Sequence, residues 1–428
     1  MTRVFFRTFG CSTNLSETEV MKGLLKEAKF EIVKHYKKAD VIIINMCSVK
    51  TPAFRKAIKA VQLAGKQKYK RLIIAGCIPK QSVKELHELA PDASLMNTNN
   101  MTEIVSVVEE TINDNPIEAL TNLSTVKINF PRIRKNPVVG VIPISNSCVD
   151  HCTYCSVKGV KGRFMSYPVK DILKEVKQSV EDGCKEIWLT SQDNGCYGMD
   201  IGTNIIDLIK KVTRFPGGFK VRLGMMNPTH IKDTVNELAE AYKNDKMFKF
   251  IHLPVQSGND DVLKKMGRRY IVDEFKSMVS IFRESVPNIT VSTDIICGFP
   301  GETEEQFNDS VDLIKEIKPD VLNISRFWAR PGTPAAKLPG QIHGNITKER
   351  SRKLTSLFEY ISFDNNRRWK NWVGEIIIDE HGKDNTFIGR NLAYKPVIVS
   401  GRLSLGDIVR VKVHKFTRHD LRADLIEI

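Results

Sequence analysis

VIPISNSCVDHCTYCSVKG, residues 141–159, starts as an apolar run with strand character and then breaks into a loop carrying Cys148, Cys152 and Cys155. The spacing is C-x3-C-x2-C. A tight loop with this spacing brings three sulfurs within a few ångströms of each other, enough to wrap one face of an iron–sulfur cube and leave its fourth iron without a protein ligand. The competing reading is zinc, which normally wants a fourth Cys or His close by. His151 could fill that place, although a loop role suits it better.

Downstream of this stretch the pattern repeats. EIWLTSQDNG, KVRLGMMNP, FIHLPVQSG, VSTDIICGFPGE and VLNISRFWARPG are strands that end in conspicuous loops, and helical patterns such as DILKEVKQSVEDG and EEQFNDSVDLIKEI lie between them. Counting the first strand gives six strand-helix units with no sign of closure to eight. That is the expectation for a partial parallel barrel, with its chemistry at the carboxyl-terminal rim.

Upstream, one unit recurs three times: VFFRTFGC, VIIINMC and RLIIAGC, each an apolar run ending near a cysteine and followed by an amphipathic helical pattern. The cysteines are Cys11, Cys47 and Cys77. Their separations of 36 and 30 residues are about one strand-plus-helix crossover, so the three strands should be parallel neighbours. Each cysteine then lies just past the carboxyl end of its strand, the edge where open parallel sheets collect ligands. Burial as small core residues is the alternative use of these thiols.

Beyond about residue 365 the helical alternation gives way to EIIIDEHGKDNTFIGR, YKPVIVS, GRLSLGDIVRVKVHK and LRADLIEI, short β-rich runs with Gly, Asp and Asn turns that suit a small all-β barrel. The expected division is a first domain over 1–112, a linker over 113–136 ending in the basic run PRIRK, a core over 137–364 and a β domain over 365–428. Segment 337–353, which contains KERSRK, reads as a second linker.

The chain has 428 residues, 41% of them hydrophobic and 27% charged, enough apolar material for several cores. A single small module and wholesale disorder are both excluded. No apolar run approaches the roughly 20 residues that span a bilayer, and MTRVFFRTFGC lacks the layout of a secretion signal. The expectation is therefore a cytoplasmic protein with no membrane contact. Its formal net charge of +15 favours a polyanionic partner. Nine cysteines in a reducing compartment suggest metal or catalysis rather than disulfides. Cys184, Cys196 and Cys297 have no metal spacing and read as small fillers.

With its aromatic residue before the last cysteine, Tyr154, the C-x3-C-x2-C motif resembles that of the radical S-adenosylmethionine (SAM) enzymes. The chain as a whole resembles the methylthiotransferases, through TFGC-x2-N, NMCSVK, GCIPK, SQDNGCYGMD, HLPVQSGNDDVLKKMGRRY, DIICGFPGETEEQF and RPGTPAA. This resemblance implies an α/β fold with a Rossmann-like N-terminal domain, a partial (β/α)6 radical SAM barrel and a small C-terminal all-β TRAM barrel that binds RNA. It also implies two 4Fe-4S clusters, one on Cys148, Cys152 and Cys155 and a second on Cys11, Cys47 and Cys77, with S-adenosylmethionine chelated by the open iron of the first. One cofactor molecule would methylate a sulfur at the second cluster, and another would yield a radical that abstracts hydrogen from an unactivated C–H. That hydrogen is too weakly acidic for any side-chain base, so the cofactor must supply the hard chemistry. A ferredoxin- or flavodoxin-like reductant and a sulfur donor are implied partners.

On the expected rim, Tyr154, Gln192, Asp193, Gln256, Ser257 and Asp294 are candidates for holding the cofactor, with Arg222 as a partner for its carboxylate. Tyr197 and Asp200 are candidates for approaching the substrate. His230 and His252 read as structural, and Met225 and Met226 as packing. Two departures from the family pattern stand out: NMC in place of NTC, and Trp328 before the Arg-Pro-Gly, where it would alter substrate contacts.

GRNLAYKPVIV in the C-terminal domain is similar to the archaeal and eukaryotic branch that acts on threonylcarbamoyl-adenosine beside the anticodon of transfer RNA, placing the methylthio group on carbon 2 of the adenine. Isopentenyl-adenosine in tRNA, or an aspartate of a ribosomal protein, are the alternatives. The C-terminal segment has twelve Lys and Arg against eight Asp and Glu over 367–428; Arg367, Arg368, Lys370, Arg390, Lys395 and Arg410 are its candidate RNA contacts.

Overall fold

A computed structural model describes residues 1–48, 51–66, 71–121 and 123–426. Val49 and Lys50 of the NMCSVK motif, Asn122 of the expected linker and the last two residues of the expected β domain lie outside the described residues.

Strands β1 (Arg3–Thr8), β2 (Glu31–Ile32), β3 (Val41–Met46), β4 (Arg71–Gly76), β5 (Ser94–Asn97) and β6 (Glu118–Ala119) form a parallel sheet in the order β2-β1-β3-β4-β5-β6. The unbroken apolar text of β3 is explained by burial on both faces. Val41 and Ile43 pack with Val20, Met21 and Leu25 of helix Ser12–Glu27 on one side. Ile42 and Ile44 pack with Ala57, Val61 and Leu86 on the other. Full burial of each aliphatic side chain stabilises the sheet by roughly 1.5–3 kcal/mol.

The second unit opens with β7 (Val139–Pro143). A two-stranded antiparallel hairpin, β8 (Ser145–Asn146) with β9 (Met165–Ser166), then closes the neck of the loop that holds Cys148, Cys152 and Cys155. The parallel strands β10 (Glu186–Thr190), β11 (Lys220–Leu223), β12 (Phe250–His252), β13 (Thr290–Cys297) and β14 (Val321–Arg326) follow. Two ladders, β7-β10-β11 and β12-β13-β14, are bridged where Phe248 donates its N–H to the Val221 carbonyl at 2.9 Å. The result is a six-stranded open barrel whose helix-facing side chains, such as Ile187, Val221, Ile251, Val291 and Leu322, form the largest core. The open edge at β7 is covered by the first domain, since Ser16 Oγ donates to the Val141 carbonyl at 3.2 Å. Covering a lone edge strand removes its capacity to pair with other chains.

The sequence marked 337–353 as a linker, but helix Gly344–Arg367 begins inside that segment. KERSRK forms part of its polar turns, and the helix is held by buried Thr347, Arg350, Leu354 and Ile361. The basic run PRIRK is also structural. Arg132 binds Glu175 at 2.6 Å and approaches Glu19 at 3.9 Å, tying the first domain to a barrel helix.

The last five strands, β15 (Val373–His381), β16 (Thr386–Arg390), β17 (Pro396–Ser400), β18 (Ile408–Phe416) and β19 (Leu421–Leu425), close into a small barrel in the order β15-β16-β17-β19-β18. It docks on the amino ends of the larger barrel's strands. Lys249 N–H donates to the Leu392 carbonyl at 2.7 Å, and Thr290 Oγ1 donates to the Ala393 carbonyl at 2.7 Å. Tyr394 inserts its ring 4.8 Å from Phe248 and 5.5 Å from Phe250.

Candidate active site

The cysteine loop emerges from the carboxyl end of β7, and its shape is set by Ser147. That residue has φ of +65°, with its N–H donated to Gln192 Oε1 at 3.1 Å and its hydroxyl to the Gly162 carbonyl at 2.7 Å. Each of the three sulfurs then accepts one N–H. Asp150 N–H reaches Cys148 Sγ at 3.4 Å, Arg268 reaches Cys152 Sγ at 3.4 Å, and Val157 N–H reaches Cys155 Sγ at 3.5 Å. Donors aimed at every sulfur favour thiolate, the form an iron cluster requires. Burial opposes the charge and pushes the Cys155 thiol up to about 11, so loading iron here must displace protons.

Cys11, Cys47 and Cys77 follow the adjacent strands β1, β3 and β4. Asn14, on the first turn of helix Ser12–Glu27, ties the group together. Its Oδ1 accepts from Cys11 Sγ at 3.3 Å, while its Nδ2 lies 3.9 Å from Cys77 Sγ and donates to the Met46 carbonyl at 3.1 Å. The glycine before the cysteine in both TFGC and IAGC has a physical reason. Gly10, at φ +127°, would place a Cβ 2.6 Å from Cys47 Cβ; Gly76, at φ +100°, would drive one into Asn45 and the Met46 carbonyl. Backbone brought this close lets three neighbouring strands carry their cysteines to one edge of the sheet. Burial pushes the Cys77 thiol up to about 12, with the neighbouring Cys47 and Cys11 adding to it.

A cavity of about 630 Å³ lies where the two domains meet, lined by Cys155 of one triad and by neighbours of Cys47 and Cys77 in the other. Ser48, next to Cys47, and Pro79 and Lys80, just past Cys77, form one wall; Cys155 and Arg330 belong to the other. Arg330 donates to the Tyr154 carbonyl at 2.9 Å and feels both Cys155 and Cys47 electrostatically. It stands between the triads.

Residues 142–314 match the Radical SAM superfamily, residues 3–97 match the family described as Uncharacterized protein family UPF0004, and residues 372–426 match the TRAM domain. The chain is 38% identical, over 93% of its length and 94% of the relative's, to a probable threonylcarbamoyladenosine tRNA methylthiotransferase of Pyrococcus horikoshii. It is 36% identical, over 98% of its length and 73% of the relative's, to the Homo sapiens protein named threonylcarbamoyladenosine tRNA methylthiotransferase. The chain belongs to the threonylcarbamoyladenosine tRNA methylthiotransferase family. Among solved structures, the radical S-adenosylmethionine methyltransferase TsrM of Kitasatospora setae shares the fold, with TM-score 0.57 and 14% identity over 78% of this chain and 74% of that one.

Within this family architecture, several residues singled out by sequence lie elsewhere than expected. Arg222 does not approach the rim. It lies on the strand face turned away from the helices, toward the end where the C-terminal domain docks, 4.8–5.0 Å above the rings of Phe250, Tyr394 and Trp188. Tyr197 is fully buried and donates to the Tyr167 carbonyl at 2.9 Å, so it supports the fold instead of facing substrate. Asp200 accepts the Ser166 N–H at 2.9 Å and steadies the hairpin at the neck of the cysteine loop.

Asp193 is turned inward. It accepts from Gly195 N–H and Asn227 N–H and lies 2.6 Å from His230 Nδ1, a pairing that raises the imidazole's affinity for its proton against the opposing effect of burial. Ser257 is buried and accepts the Asn259 N–H in a turn. Tyr154 packs with Phe299, Met266 and Val262. Gln192 and Gln256 remain at the rim, Gln256 at φ +77° and bridged to β13. Asp294 meets His252 at 2.8 Å and Asn323 at 2.6 Å on the strand face away from the helices. Cys196 is fully buried, as a small filler would be, and its sulfur lies within 4.8 Å of ligand atoms of Cys148 and Asp193.

Three of the candidate RNA contacts are engaged in structure. Arg368 and Lys395 converge on buried Asp320 at 2.7 and 3.1 Å, and Arg390 holds Asp379 at 2.9 Å. Arg367, Lys370 and Arg410 are exposed. Arg268 and Arg330 were missed by sequence, although each falls inside a quoted motif, GRRY or RPGTPAA. Their bonds to a cysteine sulfur and to a loop carbonyl depend on tertiary contact and leave no local periodic trace.

Among the described residues no helix is long and apolar enough to cross a membrane.

Proposed function

We propose that this chain adds a methylthio group to carbon 2 of threonylcarbamoyl-adenosine beside the anticodon of tRNA, in the cytoplasm. The single observation that carries the reading is the pair of cysteine triads on two adjoining domains, with Arg330 feeling Cys155 of one and Cys47 of the other, in a chain whose relatives are named for this activity over nearly its full length. Cys148, Cys152 and Cys155 would hold the cluster that binds S-adenosylmethionine, and Cys11, Cys47 and Cys77 a second one. When bound, these groups supply a carbon-centred radical and a transferable sulfur, chemistry that no side chain can perform.

The chain's own part is to position and to exclude water. Arg268 orients Cys152 while donating to the Pro254 carbonyl at 2.9 Å. Gly10 and Gly76 let three strands deliver their thiols to one place. Burial shields Cys47 and Cys77 from solvent and leaves Cys11 as the exposed thiol of the second triad. An external one-electron reductant and a sulfur donor complete the requirement. The domains over 1–112, 137–364 and 365–428 divide the work into sulfur carriage, radical generation and RNA binding.

Nucleoside mass spectrometry of tRNA from cells lacking this protein tests the reading. The expected result is loss of the methylthio-threonylcarbamoyl nucleoside with accumulation of its unmethylthiolated precursor. An unchanged nucleoside profile would point to a protein substrate.

A further inference from the structure

The cavity beside Cys155, where the two domains meet, is strongly biased in charge. Lys80, Lys158, Arg163 and Arg330 line it, against one carboxylate, Glu85. Two of these cations already have work within the protein: Lys158 Nζ donates to the Val149 carbonyl at 2.8 Å, and Arg330 to the Tyr154 carbonyl at 2.9 Å. Lys80 and Arg163 are exposed and have no carboxylate partner among the described residues. They come from different domains, Lys80 just past Cys77 and Arg163 from the far side of the cysteine loop. The aromatic wall also spans both domains. Phe54 of helix Thr51–Gly65 lies 5.6 Å from Trp328, which follows β14, and the Arg330 guanidinium sits 5.7 Å over the Trp328 ring.

We infer that this cavity is an anion-reading base pocket, in which Lys80 and Arg163 bind the carboxylate of the substrate's amino-acid side group while Phe54 and Trp328 offer a flat wall to the base. The inference rests on the proposed function and deepens it. A threonylcarbamoyl group ends in a carboxylate, whereas unmodified and isopentenyl-adenosine carry no charge there. Planar bases stack on aromatic side chains, and a carboxylate gains charge-assisted hydrogen bonds from Arg and Lys. With an excess of cations in the cavity, binding discriminates by the presence of that anion, because without it the cations repel one another unrelieved. Residues on both domains are needed, so selection of the correct nucleoside is coupled to proximity of the two triads.

The test uses the full chain and three anticodon stem-loops that differ only at the base beside the anticodon: threonylcarbamoyl-adenosine, its carboxylate methyl ester, and adenosine. Affinities are read by fluorescence anisotropy at fixed salt for the wild type, K80Q/R163Q and K80R. The wild type should bind the free carboxylate at least about tenfold more tightly than the ester, the scale of one charge-assisted contact. K80Q/R163Q should lose most of that ratio while binding the adenosine stem-loop as the wild type does, and K80R should retain it. Equal weakening toward all three stem-loops would overturn the inference by making these residues phosphate contacts. A preference that survives K80Q/R163Q would overturn the assignment to these two cations. A wild type with no preference among the three would instead count against the threonylcarbamoyl reading itself, and the inference would fall with it.

Discussion

Lys161 Nζ lies 3.1 Å from Glu17 Oε1 where the barrel meets the first domain, and both side chains are at most 3% exposed. Lys127, from the connecting segment, approaches the same oxygen at 3.4 Å and donates to Thr98 Oγ1 at 2.8 Å, while Thr98 donates to Glu17. Two ammonium groups thus share one carboxylate. Burial pushes Lys127 down to about 8. Burial acts in the same sense on Lys161 but is overcome by Glu17, Cys77 and Cys11, which raise it. The surplus positive charge lies beside the first-domain thiols, where anionic sulfur ligands need compensation.

Glu17→Gln should therefore be among the most damaging single changes outside the cysteines. It leaves two buried cations without a carboxylate, a situation that costs about 3–5 kcal/mol. Urea unfolding of the full chain measures it; a loss under about 1 kcal/mol would mean that the network is hydrated and of little consequence.

Cluster loading should divide cleanly between the triads. Cys148→Ala/Cys152→Ala/Cys155→Ala and Cys11→Ala/Cys47→Ala/Cys77→Ala are each expected to keep about half the iron of the reconstituted wild type. Only the first should abolish reductive cleavage of S-adenosylmethionine. Gly10→Ala should mimic the second, because its Cβ would stand 2.6 Å from Cys47 Cβ and 2.5 Å from Asn14 Oδ1. Iron assay with Mössbauer spectroscopy decides. Full iron in Gly10→Ala would show that the site tolerates what the spacing forbids.

Docking of the small barrel should weaken as pH rises. Glu186 is buried against Trp188 and Tyr394, 2.8 Å from the Trp188 indole nitrogen, and burial, with Asp379 nearby, lifts it from 4.5 to about 7. A carboxyl raised in the folded state gives its full stability below about 4.5, and that contribution is lost as pH climbs through about 7. Glu186→Gln removes the titration. It should match the wild type at pH near 5 and exceed it by roughly 3 kcal/mol near pH 8. Urea melts across this range check the sign; a variant less stable at high pH would reverse it.

Much of this architecture could be read from the chain because it is local. An apolar run such as VIIINMC ends where its strand ends, and crossover length makes neighbours parallel, so the positions of Cys11, Cys47 and Cys77 followed from pattern. The six barrel strands were legible for the same reason. What stayed hidden depends on which surfaces meet. Nothing in KVRLG tells whether Arg222 points to a cofactor or into a nest of rings, and the ring that decides it, Tyr394, lies 172 residues away. Basic residues were the least legible. Arg368 and Arg410 look alike in sequence, but only Arg368 finds buried Asp320.

That distinction sorts the basic residues of the C-terminal domain into two kinds with different expected effects. Lys370 and Arg410 are exposed, with no ion pair among the described residues, and Arg367 is 67% exposed beside Asp364. Each cation that meets a phosphate releases counterions, so affinity for tRNA should fall steeply with salt. Neutralising Lys370 or Arg410 should lower the slope of log affinity against log salt by roughly 0.7–0.9 per lost phosphate contact, without altering the melting temperature. Arg390→Gln should do the reverse. It strands Asp379, which is 2% exposed, and so should destabilise the domain while leaving the salt slope unchanged. Filter binding at several salt concentrations, paired with thermal melts, separates the two kinds. A changed slope for Arg390→Gln with an unchanged melt would put that residue back among the RNA contacts.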